Sequence, residues 1–201
     1  MRFHKNFRSQ VSICLVFQLL SACAQNNKLP VNIGDGGLLS DRPCSAPCFW
    51  NITPGISTAE EATNILSTKL GLKDCDRWDT SNSGGTRGMQ CSDITIDLDN
   101  EDLVSTIGFS PAQNITVDEV IKKYGNPDGV FITALGIEMQ PPIAGMLYFN
   151  GENMIIHLPE QNSISYNLQP NTSIERIVYL EQSEYESNKD SIQKWKGFGK
   201  Y

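Results

Sequence analysis

Ile115-Thr116-Val117-Asp118-Glu119-Val120-Ile121-Lys122-Lys123-Tyr124-Gly125-Asn126-Pro127-Asp128 is the stretch that decides the fold, because it has an earlier counterpart and each copy launches a run of strand-like segments. Thr116 stands where a helix N-cap belongs, and Glu119, three residues on, can reach back to it, so that two unpaired amides at the helix start are satisfied together. Val117, Val120, Ile121 and Tyr124 fall on one face at helical spacing, and Gly125 and Pro127 stop the helix. The earlier copy runs Thr58-Ala59-Glu60-Glu61-Ala62-Thr63-Asn64-Ile65-Leu66. Thr58 and Glu61 take the box positions, Ala62, Ile65, Leu66 and Leu70 form the buried stripe, and Gly71 ends the helix.

Short strand-like runs follow each helix. After the first they fall at about 74–78, 87–91, 94–98 and 103–109; after the second, at 129–135, 146–149, 154–158, 163–168 and 176–180. Asn150-Gly151 is a hairpin signal. Ile94-Thr95-Ile96-Asp97-Leu98 alternates, which implies an antiparallel sheet with one covered and one open face. The expected fold class is therefore α+β: two tandem helix-plus-antiparallel-four-strand units, residues 43–110 and 111–182, each helix packed on one face of its sheet.

The helix pattern, Thr-x-acid-Glu-Ala/Val leading to Tyr124-Gly125-Asn126-Pro127-Asp128, resembles the helix signature of the SmpA/OmlA (BamE-type) small outer-membrane assembly lipoproteins. The tandem layout is similar to that of β-lactamase inhibitory protein, which has two helix-plus-sheet units and works by binding another protein. The segment Cys44-Ser45-Ala46-Pro47-Cys48-Phe49-Trp50, leading to Ile52-Thr53-Pro54-Gly55, resembles the opening of a group of uncharacterised bacterial lipoproteins. These likenesses imply an envelope address and a binding role, and carry no catalytic residues with them.

The first residues point to the same address independently. Arg2, Lys5 and Arg8 precede an apolar run from Val11 to Leu20, and Leu20-Ser21-Ala22-Cys23 reads as a lipobox. A charged start, an apolar stretch too short to cross a bilayer and small residues before a cysteine are what lipoprotein maturation needs. Residues 1–22 are thus expected to be a signal peptide, and Cys23 the lipidated first residue of a protein held at the cell membrane or outer membrane. Residues 23–42, rich in Asn, Gly and Leu without a sustained period, read as a flexible tether. Loss of the signal removes three of the 16 basic residues and none of the 23 acidic ones, leaving a net charge of about −10. That argues against nucleic acid as a partner.

Four cysteines remain beyond the anchor: Cys44, Cys48, Cys75 and Cys91. An even number in an exported chain favours disulfides, with three possible connectivities. Proximity in sequence favours Cys44–Cys48 and Cys75–Cys91. A zinc site would need Cys-x-x-Cys pairs or nearby histidines, and neither is present.

The chemistry of an enzyme is not legible. His157 is the single histidine after the signal, and no Gly-x-Ser-x-Gly, His-Glu-x-x-His or phosphate-binding loop accompanies it. Asp93, Asp97, Asp99, Glu101 and Asp102 could suit calcium but lack a full loop pattern, and read better as a solvated hairpin edge. No cofactor or metal is expected. The functional expectation is a non-catalytic protein-binding or envelope-assembly module; the alternative is an envelope hydrolase with an unrecognised site. With Ile94, Ile96, Leu98, Met154, Ile156 and Leu158 turned inward, Asp97 and His157 fall on the open face. Trp78, Asp97, Tyr148, His157 and Tyr179 are the expected partner-binding residues. The last stretch, 183–201, is expected as a tail or as a short helix capped by Ser187 and ended by Gly197, with Ile192 and Trp195 on the body; its lysines and aromatics also suit a membrane surface.

Overall fold

Both helices begin where the sequence places their caps. In the computed structural model, which describes residues 32–136, 141–182 and 192–201, α1 spans Ala59–Lys69 and α2 spans Val117–Tyr124. The hydroxyl oxygens of Thr58 and Thr116 accept from the backbone N–H groups of Glu61 and Glu119, and each glutamate accepts from its threonine's own N–H. Gly125 ends α2 with φ of 83° and ψ of −172°, a conformation that side chains with a Cβ resist.

The strands after α1 are β1 (Asp76–Asp79), β2 (Arg87–Cys91), β3 (Ile94–Leu98) and β4 (Val104–Phe109). After α2 come β5 (Gly129–Ala134), β6 (Ile143–Phe149), β7 (Met154–Gln161), β8 (Asn167–Leu168), β9 (Arg176–Leu180), β10 (Gln193–Lys194) and β11 (Gly199–Lys200). Nine of these form one antiparallel sheet in the order β1-β2-β3-β4-β9-β7-β6-β5-β10, while β8 and β11 pair separately. The Asn150-Gly151 signal falls in a short 3₁₀ turn between β6 and β7, closed by Asn153 with φ of 44°.

This pairing overturns the expectation of two helix-plus-four-strand units. β4 hydrogen-bonds β3 on one side and β9 on the other, with Ile107 opposite Tyr179 and Phe109 opposite Ile177. Two buried rows cross that seam: Met89–Ile96–Ile107–Tyr179–Met154–Phe149, and Phe109–Ile177–Ile156–Leu147–Val130. Both helices cover the same side. Thr63 of α1 touches the Met89 sulfur, and Tyr124 of α2 packs edge-on against Phe149 with ring centroids 6.4 Å apart. The result is a single hydrophobic core shared by both helices and the sheet. A seam strand paired on both sides also leaves no edge to protect there.

Part of the stretch expected as a tether is built into this core. Leu38 is fully buried and Ile33 nearly so. The Asp35 carboxylate accepts from the backbone amides of Gly37, Leu39 and Ser40 and from the Ser40 hydroxyl. Burial pushes its pKa up, but those hydrogen bonds outweigh burial and hold it below the ordinary carboxylate value. Tyr124 Oη donates to the Leu38 carbonyl at 2.6 Å, and Lys123 pairs with Asp41 at 2.5 Å. Gly36 lies flat on Phe109: a Cβ there would stand 2.2 Å from the ring.

Both disulfides join the cysteines that proximity favoured, Cys44–Cys48 and Cys75–Cys91. The first staples a loop whose Phe49 is fully buried, its ring tilted against that of Phe109 with centroids 4.3 Å apart. The expected C-terminal helix is absent from residues 192–201, where β10 and β11 stand instead; Ser187 lies outside the described residues.

Candidate functional site

The face of the sheet opposite the helices carries the alternate side chains of every strand. Strand register arranges them in rows, one reading Trp78–Gly88–Asp97–Thr106–Leu180 and another Arg176–His157–Met146–Phe131. Between them runs Gln90–Thr95–Gly108–Val178–Ile155–Tyr148. Of the five residues expected to bind a partner, four lie on this outer face: Trp78, Asp97, Tyr148 and His157. Tyr179 does not. It points into the core between Phe109 and the helices and is fully buried, because it pairs with Ile107 and Met154, both inward. Its hydroxyl has no hydrogen-bond partner among the described residues, and burial drives its pKa far up.

Tyr148 shares the face but not the accessibility. It is only 5% exposed and forms a small apolar cluster with Leu180, Phe131, Met146, Ile155 and Ile192. Burial raises its pKa. The β5–β7 half of the face is thus largely apolar and partly buried, and the polar half lies over β1–β4, with β9 and the middle of β7 at the junction.

Two glycines shape that polar half. A Cβ at Gly88 would lie 2.5 Å from the Trp78 ring, so the indole rests on bare backbone, with its Nε1 donating to Thr86 Oγ1 at 3.3 Å. A Cβ at Gly108 would lie 2.6 Å from Arg176 Nη2. The guanidinium therefore lies flat on β4. Arg176 is half-buried and, among the described residues, its side chain makes no hydrogen bond or ion pair. Burial lowers its pKa while the more distant Asp97 and Asp93 raise it, and it stays charged. His157 faces it across the β7–β9 pair; burial, and then the charge of Arg176, push the imidazole below its ordinary value, so it is neutral at pH 7. Asp97 accepts from the Thr106 hydroxyl at 2.6 Å.

Sequence reasoning missed Arg176. Its place beside His157 depends on β9 leaving sequence order to lie between β4 and β7, which no local pattern encodes. Gly88 and Gly108 did carry a signal: an isolated glycine inside a strand marks a close approach of another group to the backbone. Two of the other acids of the hairpin are engaged: Asp99 Oδ1 accepts from the Glu101 and Leu103 amides, and Asp102 pairs with Arg87 at 3.2 Å. A shallow hollow of about 580 Å³ lies between α1 and Arg77, whose guanidinium donates to Thr63, and a second of about 290 Å³ lies at the β1–β2 edge, where Trp78, Arg87 and Gly88 line it.

No family model and no curated protein matches this chain. Among solved structures, it is similar to a DUF4309 family protein, YjgB from Bacillus subtilis, at 10% identity and a TM-score of 0.33, covering 66% of this chain and 84% of that one.

Proposed function

We propose that this chain is a lipoprotein, anchored through Cys23 at the cell membrane or outer membrane and exposed outside the cytoplasm, that acts as a non-catalytic protein-binding or envelope-assembly module. Its contact surface is the polar half of the outer sheet face, around Trp78, Asp97, His157 and Arg176. The observation that carries this reading is Arg176: a half-buried guanidinium seated on Gly108, without a hydrogen bond or ion pair of its own among the described residues. A partner's carboxylate would pair with it bidentately, and the two groups would gain more there than in open water. Trp78, over Gly88 on the same face, supplies a rigid aromatic, the type of residue that concentrates binding energy. Two disulfides in the body fit an oxidising compartment outside the cytoplasm.

The test is capture of envelope proteins with the lipidated chain as bait. Arg176→Gln and Trp78→Ala should each reduce recovery of the specific partner about tenfold or more, with melting unchanged. Recovery unaffected by both substitutions would remove the site. Cys23→Ser should abolish the acyl mass; an unlipidated wild type would remove the anchor.

A further inference from the structure

The C-terminal stretch Lys194-Trp195-Lys196-Gly197-Phe198-Gly199-Lys200-Tyr201 is shaped by its own contacts and lies apart from the outer-face site. β10 pairs with the start of β5, with Lys194 opposite Gly129, and β11 pairs with β8. Tyr201 then closes the loop. Its hydroxyl accepts from the Lys196 amide at 3.1 Å and donates to the Gly197 carbonyl at 2.8 Å, while its backbone exchanges hydrogen bonds with Tyr166. Trp195 stacks on Tyr201 at 6.2 Å and meets Phe198 edge-on at 5.6 Å; it also packs against the core. The Lys196 ammonium lies 4.4 Å from the Tyr201 ring centroid.

Charge and exposure in this loop run against the rest of the molecule. Residues 192–201 contain three lysines and no acid, in a chain of net charge −7. All three lysines are exposed. Phe198 is 39% exposed, and Ile164, in the turn before β8, is 95% exposed. Because Phe198 precedes β11 and Ile164 precedes β8 in an antiparallel pair, the two apolar side chains sit at opposite ends of one short ladder, with Lys200 within it.

We propose that this loop is a membrane-contact element that docks on a bilayer containing anionic phospholipid. Lysine ammonium groups pair with phosphate headgroups, while Phe198 and Ile164 enter the interface, where aromatic and aliphatic side chains are favoured. An anionic polymer would be satisfied by the lysines alone. The exposed Phe198 two residues from Lys196 and Lys200, with Ile164 at the other end of the ladder, favours the bilayer, because a bilayer offers apolar surface next to its phosphates. The inference stands independently of the Cys23 anchor, since the loop contributes its own affinity, and it concerns a different surface from Arg176.

The experiment uses the body from residue 24 onward, without lipid; Val31–Tyr201 form one compact unit with its own core. It is mixed with vesicles of phosphatidylglycerol and phosphatidylcholine, with vesicles of phosphatidylcholine alone, and with soluble polyphosphate, and bound protein is measured by sedimentation or gel filtration. Binding to the mixed vesicles is expected, with little to phosphatidylcholine and a loss at high salt. Replacing Lys194, Lys196 and Lys200 by Gln should weaken vesicle binding roughly 100-fold, at about fivefold per lysine. Phe198→Ser should weaken it several-fold, with unchanged melting. Failure to bind the mixed vesicles, or equal binding by the triple variant, overturns the proposal. Binding to polyphosphate as tight as to vesicles, unaffected by Phe198→Ser, overturns it in favour of an anionic polymer.

Discussion

Leu38→Ala is the sharpest test of the architecture, because it separates a tether from a structural strap. Leu38 is fully buried within the one shared core, and its carbonyl accepts from Tyr124 Oη. Removing three side-chain carbons from such a site costs the lost transfer energy plus a cavity term, about 2–5 kcal/mol for Leu→Ala. The local clamps oppose collapse of that cavity: the Asp35 carboxylate fixes residues 37–40, and Phe109 lies against Gly36. The upper half of the range, about 3–5 kcal/mol, is therefore expected. For a unit of this size that corresponds to a fall in melting temperature of roughly 6–20 °C. Urea titration of the non-reduced body, with and without the substitution, reads it directly. Asp41→Asn is the matched control: it keeps a residue that tolerates the positive φ of 56° and breaks an ion pair whose carboxylate is 55% exposed, worth about 1 kcal/mol or less. A Leu38→Ala loss no larger than that of Asp41→Asn would show that residues 32–42 are a tether after all and would refute the packing argument.

Two further outcomes follow from the chemistry of the body. His157 has its pKa lowered in the folded state by burial and Arg176, so the unfolded chain takes up a proton first as pH falls; stability should be constant above the ordinary histidine value of 6.5 and decline below it, and His157→Gln should flatten melting temperature between about pH 7.5 and 5. A slope unchanged by His157→Gln would contradict that burial. Replacing Cys75 and Cys91 together by Ala should lower unfolding free energy by about 3 kcal/mol, the loop-closure contribution for a separation of 16 residues, read by urea titration against the intact form; no change would mean that the constraint on the unfolded chain is negligible.

Much of the local structure was legible because it is written in neighbouring residues. Thr58 with Glu61 and Thr116 with Glu119 specify their helix starts through groups three positions apart, and Gly125 ends α2 by its own backbone freedom. Alternation in β3 and β7 placed Asp97 and His157 on the outer face, since a strand turns successive side chains to opposite sides whatever it pairs with. Proximity also selected both disulfides. The tertiary structure alone decided what depends on partners distant in the chain. The β4–β9 seam makes one sheet of what a repeat-by-repeat reading divides, because strand edges carry no local mark of which other edge will complete their hydrogen bonds. That same seam sends Tyr179 into the core and sets Arg176 beside His157. Residues 32–42 lack periodicity because a single strap needs only Leu38 and Ile33 to bury; the groove that receives them exists only once α2 and Phe109 are in place.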